Sequence, residues 1–131
     1  QDFMLCAKAI EKVNYYLVGN LFQSFPPEAQ QDFSLCTKAI EKCFEYALAD
    51  LFRCFPDEKK KDFTLRSKAI EKCPAISIAA LFQVFPDDVK KDARTQYKCI
   101  EKCSATPDIK GEGGIVNLFD ALPQSAKKSE E

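Results

Sequence analysis

The chain has 131 residues, of which 46% are apolar, and nineteen basic against twenty acidic side chains leave a net charge of -1. That length can bury a single core without a metal, and the near-neutral balance lacks the basic excess from which nucleic-acid binding draws its affinity. No apolar run approaches the length of a membrane span, so no transmembrane segment and no nucleic-acid partner are expected.

An internal repeat sets the order of the elements. Lys-Ala-Ile-Glu-Lys stands at Lys8 to Lys12, Lys38 to Lys42 and Lys68 to Lys72, with Lys98-Cys99-Ile100-Glu101-Lys102 as an altered fourth copy, thirty residues apart each time. Each of the first three copies follows an Asp-Phe pair (Asp2-Phe3, Asp32-Phe33, Asp62-Phe63) and precedes a Leu-Phe-x-x-Phe-Pro stretch ending at Pro26, Pro56 or Pro86. A remnant of that stretch survives as Leu118-Phe119 and Pro123. A fixed period of this length marks supersecondary units that bury their apolar faces only by stacking.

The expected fold is all-α. It comprises one domain over 1–123 of tandem helical hairpins, three full (1–30, 31–60, 61–90) and one degenerate (91–123), in a compact bundle or a short solenoid stabilised by disulfides. Residues 124–131, polar and charged, are expected to form a disordered tail. The signatures of tetratricopeptide and ankyrin repeats are absent.

Within a unit, nothing between Pro26 and Cys43 breaks a helix, and Phe33, Cys36, Ile40 and Cys43 form one apolar stripe of helical period. Lys38, Glu41 and Lys42 fall opposite and read as a solvated face. Proline followed by acidic residues, as in Pro56-Asp57-Glu58 and Pro86-Asp87-Asp88, suits a helix start. A second, shorter stripe carries Leu48, Leu51, Phe52 and Phe55, with matching residues in the neighbouring units, and the next proline ends it. Pro74 divides the two halves of unit three. Units one and two have no such marker, which leaves a single bent helix open there. In unit four, Ala93, Thr95 and Gln96 depart from the pattern, and Gly111, Gly113 and Gly114 belong to an insertion. Seven or eight helices are expected in all.

Seven cysteines with no histidine point to an oxidising compartment and to disulfides rather than a metal site. Zinc would want paired Cys-x-x-Cys motifs or histidines. The chain begins at Gln1 rather than methionine, as a mature secreted protein would, so an extracellular location is expected. Cys36, Cys43, Cys54, Cys73, Cys99 and Cys103 are the expected bridged set. Cys36 and Cys43 lie about 10 Å apart on one helix and must bond elsewhere. Cys6 is the expected unpaired or intermolecular thiol, which would permit a homodimer.

Ten of the eleven phenylalanines occupy three repeat columns, which reads as core packing. Tyr15, Tyr16, Phe44 and Tyr46 cluster instead at the turn between helices, where the repeat dictates no side chain. They are the candidate ligand-binding residues. Catalysis is not expected: histidine is missing, and no nucleophile elbow, phosphate-cradling loop or dinucleotide fingerprint occurs. No cofactor is expected either. The residues point to a secreted, non-enzymatic carrier of a small hydrophobic molecule held between amphipathic helices. The alternative is an extracellular structural or protein-interaction component, such as an inhibitor or a material protein, assembled through its repeats and a spare cysteine.

Overall fold

In the computed structural model, residues 3–104 and 114–123 are described. Among them the chain is all-helical: eleven α-helices pack compactly and no strand is present. The helices are α1 (Met4–Lys12), α2 (Val18–Gln23), α3 (Pro27–Gln30), α4 (Phe33–Lys42), α5 (Leu48–Arg53), α6 (Asp57–Lys60), α7 (Phe63–Lys72), α8 (Ile78–Gln83), α9 (Asp87–Lys90), α10 (Ala93–Ser104) and α11 (Gly114–Ala121). Single 3-10 turns at Tyr15–Leu17, Glu45–Ala47 and Ala75–Ser77 lead into α2, α5 and α8. The tail expected at 124–131, Gly111 and Gly113 lie outside the described residues.

The count exceeds the expected seven or eight because the stretch from Pro26 to Cys43 is two helices. Asp32 interrupts it: its carboxylate accepts from the Leu35 N–H at 2.9 Å and so caps α4. Asp62 caps α7 through Leu65 N–H at 3.0 Å, and Asp92 accepts from Thr95 N–H at 3.0 Å. Asp32 and Asp62, from two of the Asp-Phe pairs, and Asp92 in unit four thus each satisfy a donor that the first turn leaves free. The prolines start one-turn helices as expected, with Pro56 and Pro86 as the caps of α6 and α9 and acidic residues just inside. The bent-helix alternative for units one and two does not occur. Val13 and Cys43 are extended, as is Cys73 before Pro74.

The long helices α1, α4, α7 and α10 pack one on the next, and α2, α5, α8 and α11 do the same in a second row. Apolar side chains between the rows form the core, which includes Phe22, Phe52, Phe82, Leu51, Leu81 and Ile40, each essentially fully buried. Two phenylalanine columns build a ladder through it. Phe22 meets Phe25 at 5.5 Å between ring centroids and Phe55 at 5.0 Å, while Phe52 meets Phe55 at 5.1 Å and Phe85 at 5.4 Å. Each such ring contributes about 3 kcal/mol by burial alone.

Of the third phenylalanine column, Phe3 packs partly buried against the core but Phe33 and Phe63 do not belong to it, contrary to the reading from spacing. Phe33 and Phe63 are exposed, because each is the first residue of its helix beside the capping aspartate, where the apolar stripe has not yet turned inward. Phe63 is instead flanked by two guanidinium groups, Arg66 at 5.1 Å and Arg94 at 4.9 Å from the ring centroid.

Candidate functional site

The four ring residues singled out by the sequence come together. Tyr15 and Tyr16 stand 4.7 Å apart between centroids, Tyr16 and Phe44 4.6 Å, Tyr15 and Phe44 5.3 Å, and Phe44 and Tyr46 5.4 Å. They are positioned by the turns that follow α1 and α4. Asn14 accepts from the Tyr16 N–H at 2.9 Å and fixes the first turn. The Phe44 N–H donates to the Tyr15 carbonyl at 3.0 Å and ties the second turn to the first. Proline at the equivalent position, Pro74, has no N–H and cannot extend that tie.

The rings lie at the surface. Tyr15, Tyr16 and Tyr46 are about half exposed and Phe44 is half-buried, and Leu17 adds exposed apolar surface from the first turn. The cluster is a surface patch with phenolic rims. Within it, the hydrogen bond to Tyr16, reinforced by the neighbouring phenol's charge, holds the Tyr15 phenol above its ordinary pKa. Several clefts between helices lie elsewhere and are open to solvent. One of about 270 Å³ is lined by Ile40, Glu41, Lys68, Glu71 and Lys72, and another of about 260 Å³ by Ile70, Glu71, Lys98, Glu101 and Lys102. None of the four rings lines either cleft.

Those clefts expose a relationship that the sequence hides. Lys42 Nζ donates to the Glu11 carbonyl at 2.7 Å, Lys72 Nζ to the Glu41 carbonyl at 2.6 Å and to the Ile40 carbonyl at 3.0 Å, and Lys102 Nζ to the Glu71 carbonyl. Each lysine neutralises free carbonyls at the negative end of the preceding long helix. The glutamate side chains are held as well, Glu41 by Lys68 at 3.6 Å and Glu71 by Lys98 at 3.4 Å. The face read as merely solvated is therefore where the units join.

The expected bridges among Cys36, Cys43, Cys54, Cys73, Cys99 and Cys103 are not seen. All seven cysteines are unbridged, with no pair of sulfurs at bonding distance. Most are small apolar core residues instead, and several thiols point at backbone carbonyls: Cys36 at Gln30 (3.4 Å), Cys43 at Phe44 (3.3 Å), Cys54 at Asp50 (3.3 Å) and Cys103 at Ala75 (3.8 Å). Burial pushes the pKa of Cys36, Cys73 and Cys99 up to about 12 and that of Cys43 to about 11. A thiol with so little thiolate is a poor nucleophile. Cys6 and Cys54 are the two that reach the surface. Among the described residues no group of His, Cys, Asp or Glu is arranged to hold a metal.

A buried polar cluster also escaped the sequence reading. Arg66 Nε donates to Thr95 Oγ1 at 2.9 Å, its Nη1 donates to the Lys61 carbonyl at 2.7 Å, and its Nη2 lies 3.5 Å from Asp92 Oδ2. The Thr95 hydroxyl donates to the same Asp92 oxygen at 3.0 Å. Burial alone would raise the Asp92 pKa, but the two Thr95 hydrogen bonds and the charges of Arg66 and Arg94 together outweigh it and hold the carboxyl below its usual value. The available signal was a paired departure from the repeat: arginine stands in the column of Cys36, and threonine in the column of Leu35 and Leu65.

No family model, no curated protein and no solved structure matches this chain.

Proposed function

We propose that this is a non-enzymatic protein-interaction module, a short solenoid of helical repeats whose binding face is the aromatic patch of Tyr15, Tyr16, Phe44 and Tyr46. The observation that carries the proposal is that four rings, from two turns thirty residues apart in the chain, touch one another while three stay half exposed. Rings held rigidly at a surface lose little entropy on binding and supply both apolar area and phenolic hydrogen bonds. An exposed patch of rings suits a polypeptide surface better than a small molecule, which needs concave enclosure. The carrier function is therefore the second choice.

Two measurements test the proposal together. Native mass spectrometry of protein from its source should show no retained small apolar molecule. The Tyr16→Ser/Tyr46→Ser variant should keep its thermal midpoint yet bind any co-purifying polypeptide at least ~10-fold more weakly, the loss of one interface hot spot. A retained lipid-like ligand, held equally by the variant, would contradict a surface-binding role.

A further inference from the structure

The turns after α1, α4 and α7 each place a large exposed side chain in the same column. Tyr16, Tyr46 and Ile76 stand thirty residues apart, each at the middle of its 3-10 turn, and are 56%, 55% and 54% exposed. Phe44 fills the space between the first two, 4.6 Å from the Tyr16 ring centroid and 5.4 Å from that of Tyr46. Because α1, α4 and α7 pack one on the next, successive members of the column are one helix apart, about 8–10 Å.

That spacing selects among polypeptide conformations. A β-strand returns its side chains to one face every two residues, about 6.8 Å. An α-helix repeats with each turn of about 5.4 Å. A polyproline II helix repeats every three residues, about 9.3 Å, and of the three only this repeat falls within the spacing of the column.

The chemistry of the turns agrees. A polyproline II segment has no internal hydrogen bonds, so its carbonyls are free to accept. The Tyr15 and Tyr16 phenols are hydrogen-bonded to each other, which leaves one of their two hydroxyl protons to donate outward, and Tyr46 adds another phenol. Glu45 is the one charged residue in 13–17, 43–47 and 73–77; it is exposed, and its charge acts on the Cys73 thiol of the third unit. Lys42 and Lys72, at the adjoining helix ends, are engaged on the carbonyls of Glu11, Ile40 and Glu41. A partner lying along the column therefore meets a single carboxylate among apolar and phenolic side chains.

We propose that the aromatic patch, extended by Ile76, docks a proline-rich segment of a partner polypeptide in the polyproline II conformation. Residues three apart in the segment rest on Tyr16, Tyr46 and Ile76, and a basic side chain beside the middle one faces the Glu45 carboxylate. This rests on the reading of the rings as a binding face and adds the partner's chemistry and a third contact outside the rings.

The probe is a nine-residue synthetic peptide, proline throughout except for one arginine beside the central residue, compared with its counterpart carrying glycine for every proline. The chain has no tryptophan, so its tyrosine fluorescence reports binding directly. The proline peptide should bind with a Kd below about 1 mM, and the glycine peptide at least ~10-fold more weakly. Ile76→Ser and Glu45→Lys, each first shown to keep the thermal midpoint, should each weaken the proline peptide about 5- to 10-fold. Equal binding of the two peptides, or unchanged binding by either variant, would overturn the proposal. Failure of the proline peptide to bind would overturn it too. Protection of Tyr16 and Tyr46 in an extract of the native source would then show that the rings bind a partner of another class, whereas without that protection the binding face itself fails.

Discussion

Lys72 Nζ donates to the backbone carbonyl of Glu41 at 2.6 Å, while Lys68 holds the Glu41 side chain at 3.6 Å. Both lysines of one Lys-Ala-Ile-Glu-Lys copy thus close on the glutamate of the copy before it. Lys72→Met should therefore destabilise the fold by about 1 kcal/mol, the value of a charge-assisted hydrogen bond at a partly exposed helix end. Lys12→Met, at the exposed first copy, should change stability by less than about 0.5 kcal/mol. Urea midpoints of the two variants make the comparison, and equal losses would show that the rungs contribute nothing.

Arg66 and Thr95 should behave as a compensated pair. Arg66→Ala alone leaves the Thr95 hydroxyl and Asp92 short of a buried partner and should cost about 2–4 kcal/mol. Arg66→Cys with Thr95→Leu restores the residues found at the preceding junction, Cys36 and Leu65, both buried, and should recover most of that loss. A double variant no better than the worse single one would refute the pairing.

The same cluster sets an acid limit. Because the folded Asp92 pKa is lowered, its contribution is present above the ordinary carboxylate value near ~3.9 and is lost as pH falls through the folded value. The stability difference between wild type and Asp92→Asn should therefore shrink below about pH 4. A difference that persists unchanged at lower pH would locate the effect elsewhere.

The thiols give the opposite sign. Folded pKa values raised to about 11 and 12 mean that the buried cysteines favour the native state fully below their unfolded value. That contribution declines as pH rises from about 8.5 towards the folded values. Alkylation of the native, unreduced chain at neutral pH should label Cys6 and Cys54 and spare the other five until denaturant is added. Reductant should leave the circular dichroism unchanged. If the five stay unlabelled in denaturant without reductant, they are bridged and the expected disulfides exist.

Much of the architecture was legible because it follows from periodicity. The helical class, the core columns of Phe22, Phe52 and Phe82, and the helix starts after Pro56 and Pro86 all follow from spacing and backbone chemistry. The four ring residues were legible by contrast, as side chains that the repeat does not require. What spacing could not show depends on neighbours in space. Lys42 and Lys72 look solvated on their own helices and become rungs only when another helix end lies alongside. Phe33 and Phe63 share the period of the core, yet their place at the first turn leaves them outside it. Cysteine content suggested bridges, but a column of buried thiols thirty residues apart is equally a column of small apolar side chains.

The phenylalanine ladder should separate from that exposed column on substitution. Phe52→Ala removes a fully buried ring in contact with Phe55 and Phe85 and should cost about 3–5 kcal/mol. Phe33→Ala should cost less than about 1 kcal/mol. Thermal midpoints of the two variants suffice, and a similar drop for both would place Phe33 in the core after all.

Hydroxyl-radical footprinting read by mass spectrometry tests the aromatic patch as the binding face most directly. Labelling is compared between the purified dilute protein and the protein in an extract of its native source. Tyr15, Tyr16 and Tyr46 should be protected in the extract, while exposed Phe33 is labelled equally in both. Equal labelling of the three tyrosines in the two samples, or protection at Phe33 alone, would contradict a binding role for the patch.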